Sequence, residues 1–143
     1  MPEIVRRYRY PAQPERVFAA LTDPEGLGRW FAVRCEARPR VGSRARFEFG
    51  PGEEAAFVVE MLIPTAVVQW RCTESSPDLA AWRGTTVRFE LYPRDEGCDL
   101  HLRHSGFSQE DDAFARATRR WEHCAGEELE AHLRAGASQT ESS

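Results

Sequence analysis

From residue 32 to residue 105 the apolar side chains recur at every second position, the period of a half-buried β-strand rather than of a helix. Arg44–Phe49, Ala55–Ile63, Ala66–Cys72, Thr85–Tyr92 and Cys98–His104 read as strands, and residues 3 to 10 as another at the N-terminus. Turn chemistry separates them: Gly50-Pro51-Gly52, Pro64-Thr65 and Arg94-Asp95-Glu96-Gly97 suit tight reversals. Successive hairpins make an antiparallel sheet. Gly50 to Ala55 spells a formal dinucleotide fingerprint, G-x-G-x-x-A, but a strand follows instead of the helix such a loop opens, so it reads as a hairpin turn.

Helical periodicity flanks this region. Pro14–Leu21 reads as a short helix with Val17, Phe18 and Leu21 on one face. Asp23 suits an N-cap and Pro24 a first residue for a second short helix carrying Leu27, Trp30 and Phe31. Gly26 and Gly28 each weaken that helix by about 1 kcal/mol relative to alanine. Asp23–Phe31 is therefore expected to be a short, mobile lid with Trp30-Phe31 at its tip. Ser108, with acids from Glu110 to Asp112, reads as the N-cap of a long helix whose stripe is Phe114, Thr118, Trp121, Ala125, Leu129 and Leu133. Gly136 is its expected stop, leaving one domain over 1–135 and a polar, disordered tail over 136–143.

A chain of 143 residues can bury a core without staples. No apolar run has membrane-spanning length and no signal peptide is visible, so a cytoplasmic location without membrane contact is expected. A net charge of -4 gives no footprint for nucleic acid. Cys98, His101 and His104, with His123-Cys124 downstream, raise the question of a metal site. On a strand, however, Cys98, Leu100, Leu102 and His104 face one way and Asp99, His101 and Arg103 the other. The two histidines do not converge. No metal and no cofactor are expected, and Cys35, Cys72, Cys98 and Cys124 read as small buried thiols.

The order of strand, two short helices, antiparallel sheet and long helix resembles the helix-grip fold of the START-like superfamily, shared with the birch pollen allergen. V-F-A-A-L-T-D-P-E-G-L-G-R-W-F at 17–31, E-M-L-I-P-T-A-V-V-Q-W at 60–70, G-T-T-V-R-F-E-L-Y-P at 84–93 and H-S-G-F at 104–107 with Trp121 downstream are similar to the bacterial proteins named for the C-terminal domain of the activator of heat-shock protein 90 ATPase. The resemblance implies a curved sheet of about six or seven strands gripping the C-terminal helix, with a pocket between them beneath the short helices. It does not imply a ligand, because one fold hosts many functions.

Strand alternation supplies Phe57, Met61, Trp70, Phe89, Leu102 and His104 as candidates for the pocket, facing Trp121 and Ala125 on the helix, and the lid tip adds Trp30 and Phe31. Ala125-Gly126, small where a leucine could stand, marks the expected void. Glu60 and Glu128 are further polar candidates. No nucleophile motif, metalloprotease motif or spaced acid pair is present, so no catalytic residue is assigned. The reading that follows is a monomer or homodimer that binds a small apolar or aromatic molecule without chemistry. Two alternatives stand beside it: a polyketide cyclase or dehydratase with His104 as proton shuttle, and a chaperone accessory or interaction module using Trp82 in the loop Thr73–Arg83.

Overall fold

The computed structural model describes residues 2–142, with side chains as far as Ala135. Seven strands, β1 (Glu3–Tyr10), β2 (Arg34–Glu36), β3 (Arg44–Gly50), β4 (Glu53–Ile63), β5 (Val67–Ser75), β6 (Thr86–Arg94) and β7 (Gly97–Ser105), form one antiparallel sheet in the order β1-β7-β6-β5-β4-β3-β2. All neighbours but β1 and β7 are successive in sequence. Helices α1 (Pro14–Thr22) and α2 (Pro24–Trp30) carry the chain from one edge strand to the other. After β7 come α3 (Asp112–His123), a π turn (Cys124–Glu128) and α4 (Leu129–Ser142), which run on as one rod because the junction residues keep helical dihedrals. Among the described residues no helix is long and apolar enough to cross a membrane.

Strand β2 was not foreseen; three residues are too few to show a period. Neither was the 3₁₀ turn Pro77–Trp82, which lies inside the stretch read as a loop. The long helix starts at Asp112, not after Ser108, and its cap is Asp111, whose carboxylate accepts from Phe114 N at 3.1 Å. The chain needs residues 106 to 111 for another purpose. Gly106, at φ +99°, turns back within reach of the Thr85 backbone and drops Phe107 into the core, 4.5 Å from the His104 ring. Asp23 stands at the start of α2 as expected, but its side chain caps nothing. Gly26 serves contact: a Cβ there would lie 2.8 Å from Ala20 Cα, so its absence lets α2 press on α1. The helix passes Gly136 and is assigned to Ser142, and the tail expected over 136–143 falls outside the residues whose side chains are described.

Across β1, β7 and β6 the register runs unbroken, and on the outer face Asp99 of β7 clamps all three strands, accepting from Arg9 at 3.0 Å and Arg94 at 2.7 Å. Those two bonds, Arg9 first, hold its carboxyl below the usual range. Across β3, β4 and β5 the register shifts three times, between Glu48 and Gly50, Ala56 and Phe57, and Val59 and Met61. Each such bulge bends the sheet and adds twist, which helps curl this half around the rod.

Candidate ligand site

The inner face of the curled sheet is paved with rings. Trp30, Phe31, Phe57, Trp70, Phe89, Leu102 and Trp121 all converge there, each at most 4% exposed. They meet one another rather than a void: Phe31 stacks on Trp121 at 5.3 Å and 14°, Phe47 meets Phe31 edge-on at 4.9 Å, and Trp70 meets Phe89 edge-on at 5.1 Å. Phe31 arrives from the C-terminal end of α2, so the tip of the expected lid is seated inside. The crevice that remains beneath α1 and α2, beside Trp70 and Pro39, measures about 10 Å³, room for a single water.

One candidate stands elsewhere than expected. Met61 points outward, where Arg88 Nη1 approaches its sulfur at 3.7 Å, because the bulge between Val59 and Met61 reverses the alternation. Leu62 takes the inward place. Ala125 does face inward, but its surroundings are occupied: Tyr10 Oη donates to Ala125 O at 2.7 Å, and the Tyr8 ring lies 3.3 Å from where a Gly126 Cβ would be. The small pair admits two tyrosines from β1, which the alternation Ile4, Tyr8, Tyr10 could have revealed. The π turn falls at this spot, and the Tyr10 hydroxyl serves one of its carbonyls. Glu60 lies outside, bonded to Arg71 and Gln69, and Glu128 is exposed beside His123.

His104 is fully buried and fully engaged. Trp121 Nε1 donates to its Nδ1 at 2.9 Å. An indole N–H can only donate, so Nδ1 accepts and the proton resides on Nε2, which donates to Thr85 Oγ1 at 2.8 Å. Thr85 in turn donates to the carbonyl of Trp82. Burial pushes the imidazole pKa down to about 3. The chain of bonds fastens α3, β7, the residue leading into β6 and the 3₁₀ turn together, and it leaves His104 neither a free nitrogen nor a charge to offer. His101 faces out against Tyr92 at 4.4 Å, so the two histidines lie on opposite faces. All four cysteines are free, and burial raises the thiols of Cys72 and Cys124 to about 11.

Trp82 is 2% exposed and stacks on Trp121 at 6.3 Å and 17°, so it cannot serve as a surface anchor. Leu79 and Trp82, three apart after Pro77, are the signal that a turn buries its apolar side here. Outside this turn, between it and α3, lies a cleft of about 380 Å³.

Sheet order, curled inner face and a single gripping rod decide the comparison. Over residues 11–134 the sequence matches the family described as activator of Hsp90 ATPase homolog 1-like protein. The chain belongs to that family. Within it, the chain is similar to the Aha1 dimer of Colwellia psychrerythraea, at 28% identity and TM-score 0.82, covering 93% of this chain and 96% of that one. It is also similar to a protein of Mesorhizobium loti, at 24% identity and TM-score 0.84 over 94% and 98% of the two chains. A protein of the dynemicin biosynthetic locus, DynU16, shares the fold at 22% identity and TM-score 0.79, over 94% of this chain and 48% of its own. No curated protein matches the sequence.

Proposed function

We propose that this member of the activator-homologue family binds a small, flat, largely apolar molecule between the sheet and the C-terminal rod, in the cytoplasm and without chemistry. The observation that supports it is the seat of Phe31. A ring carried by the end of a seven-residue helix lies flat on Trp121 and edge-on to Phe47, in the position an aromatic ligand would take if α2 swung aside. Burying about 300 Å² of such a ligand contributes roughly 7 kcal/mol, against which stand the loss of the Phe31 contacts and the costs of association. Micromolar affinity is the expected scale. Proton-shuttle chemistry is the weaker reading, since both nitrogens of His104 are committed and the ring is held neutral.

Native mass spectrometry of the protein purified from its own host tests this. A bound mass that is lost when Phe31 and Trp121 are replaced supports the reading; an unliganded chain that also takes up no aromatic probe refutes it. The same spectrum reports whether this chain, like its Colwellia relative, forms a dimer.

A further inference from the structure

We propose that the cleft between the 3₁₀ turn and α3 is a second site, one that takes a small carboxylic acid with an apolar body. The cleft exists because α3 turns Ala113 and Ala117 toward Leu79 and Trp82, where a leucine at either position would fill it. On the same helical face Arg116 and Arg120 stand at the rim. Arg120 is already engaged, bonded to Glu53 at 2.6 Å and laid over the Phe49 ring. Arg116 has no ion-pair partner among the described residues.

The second observation is the indole of Trp82. Trp30 and Trp121 give their N–H groups to Ala20 O and His104. Trp70 and Trp82, each 2% exposed, have no acceptor for their N–H groups among the described residues. Neither atom is sealed in the core, since Tyr8 Oη is the one fully enclosed side-chain polar atom without a partner among the described residues. Trp70 borders only the crevice of about 10 Å³, whereas Trp82 lines this cleft, and its N–H is the donor assigned to the site here. An unpaired neutral donor and an unpaired guanidinium over an apolar floor match an acceptor that carries negative charge, and a carboxylate meets both demands. Asp78, also on the rim, opposes the charge and limits the affinity. The site does not depend on the ring-filled interior binding anything.

The test is a titration of the indole N–H resonances of the four tryptophans with 2-naphthoate, the Trp82 signal being assigned by its loss in Trp82→Phe. The expected result is a saturable shift of the Trp82 signal, with affinity reduced about tenfold in Arg116→Gln, increased about twofold in Asp78→Asn, and reduced for the neutral 2-naphthamide. Both charged residues are exposed, so these variants keep the fold. An unmoved Trp82 signal up to the solubility of the acid overturns the proposal, as does a shift that Arg116→Gln leaves intact. Movement of the Trp30 and Trp121 signals alone, indifferent to Arg116, would refute this cleft while supporting the interior site.

Discussion

The two halves of the sheet hold the rod by different means. On the β1-β7-β6 side the register is unbroken and the rod is tied by directed bonds, Tyr10 to Ala125, Trp121 to His104, and Arg6 to Glu122 at 3.1 Å. On the β3-β4-β5 side the register shifts repeatedly, and Trp121 is met by the ring face of Phe31, which is itself seated among Phe47, Phe49 and Trp70, with Arg120 and Glu53 as the ion pair. A directed bond fixes a position, whereas a ring face accepts any flat partner of suitable size. The regular half therefore sets where the rod sits, and under the proposed function the bulged half is where a side chain would exchange with a ligand.

The largest expected effect breaks the ring-built half. Phe31→Ala removes a buried ring that touches Phe47, Phe49, Trp70 and Trp121, and should cost about 3–5 kcal/mol in urea unfolding. If ring faces accept substitutes, indole added to this variant should raise its Tm more than it raises the parent's. A loss below about 1 kcal/mol, or no difference in the response to indole, would mean that the bulged half is not held by Phe31.

Acid should strain the bond-built half next. His104 stays neutral in the fold down to about pH 3, while in the unfolded chain it takes up a proton below its ordinary value of 6.5. The unfolded state thus binds more protons between those limits, and stability falls as pH falls, by about 1.4 kcal/mol per pH unit from this group. Between pH 6.5 and 5 the expected loss is about 2 kcal/mol. His132, lowered chiefly by burial and then by Arg16 and Arg29, acts in the same direction, so the comparison is with His104→Gln, whose stability should vary less with pH. Equal slopes for the two proteins would show that His104 is not neutral and enclosed.

A pair of tyrosines two residues apart sharpens the same comparison at smaller scale. Tyr10→Phe deletes the bond to Ala125 O at the π turn and should cost about 1 kcal/mol. Tyr8→Phe deletes a hydroxyl that is enclosed without a partner, and should stabilise by up to about 1 kcal/mol. Equilibrium unfolding of both variants decides it; the same sign for both would remove the distinction between a bond that positions the rod and a contact that merely fills space.

What the sequence reveals follows the same division. Where the register is unbroken, alternation places Leu100, Leu102 and His104 correctly, because a period of two survives as long as no residue is inserted. Past the bulge after Val59 the same rule puts Met61 on the wrong face, and nothing in E-M-L-I marks the extra residue. The candidate site was legible as a set of rings but not as a volume. Whether rings enclose a space or fill it depends on how far α2 descends, and that rests on the contact of Gly26 with Ala20, which lies outside any periodicity. Thr85 and Trp82 became visible as parts of one bonded chain only once the hairpin joined them to His104.

The smallest effect concerns α2 itself, the element that must move if Phe31 is to yield its place. Its two glycines differ: a Cβ at Gly26 would meet Ala20 Cα at 2.8 Å, while at Gly28 it would meet nothing within 4 Å. Gly28→Ala should therefore stiffen α2 and stabilise the protein by about 0.5–1 kcal/mol, through the entropy of the unfolded chain and helical propensity alone. Gly26→Ala should force α2 away from α1 and loosen the seat of Phe31. If opening of α2 limits exchange, release of a bound anilinonaphthalene sulfonate should slow in Gly28→Ala and quicken in Gly26→Ala, since local opening rather than global unfolding sets the rate. Stopped-flow release measured beside thermal melts separates the two. Unchanged release in both variants, with the melts shifted as expected, would mean that the ring-built half opens elsewhere, at the 3₁₀ turn where Trp82 covers Trp121 from the other side.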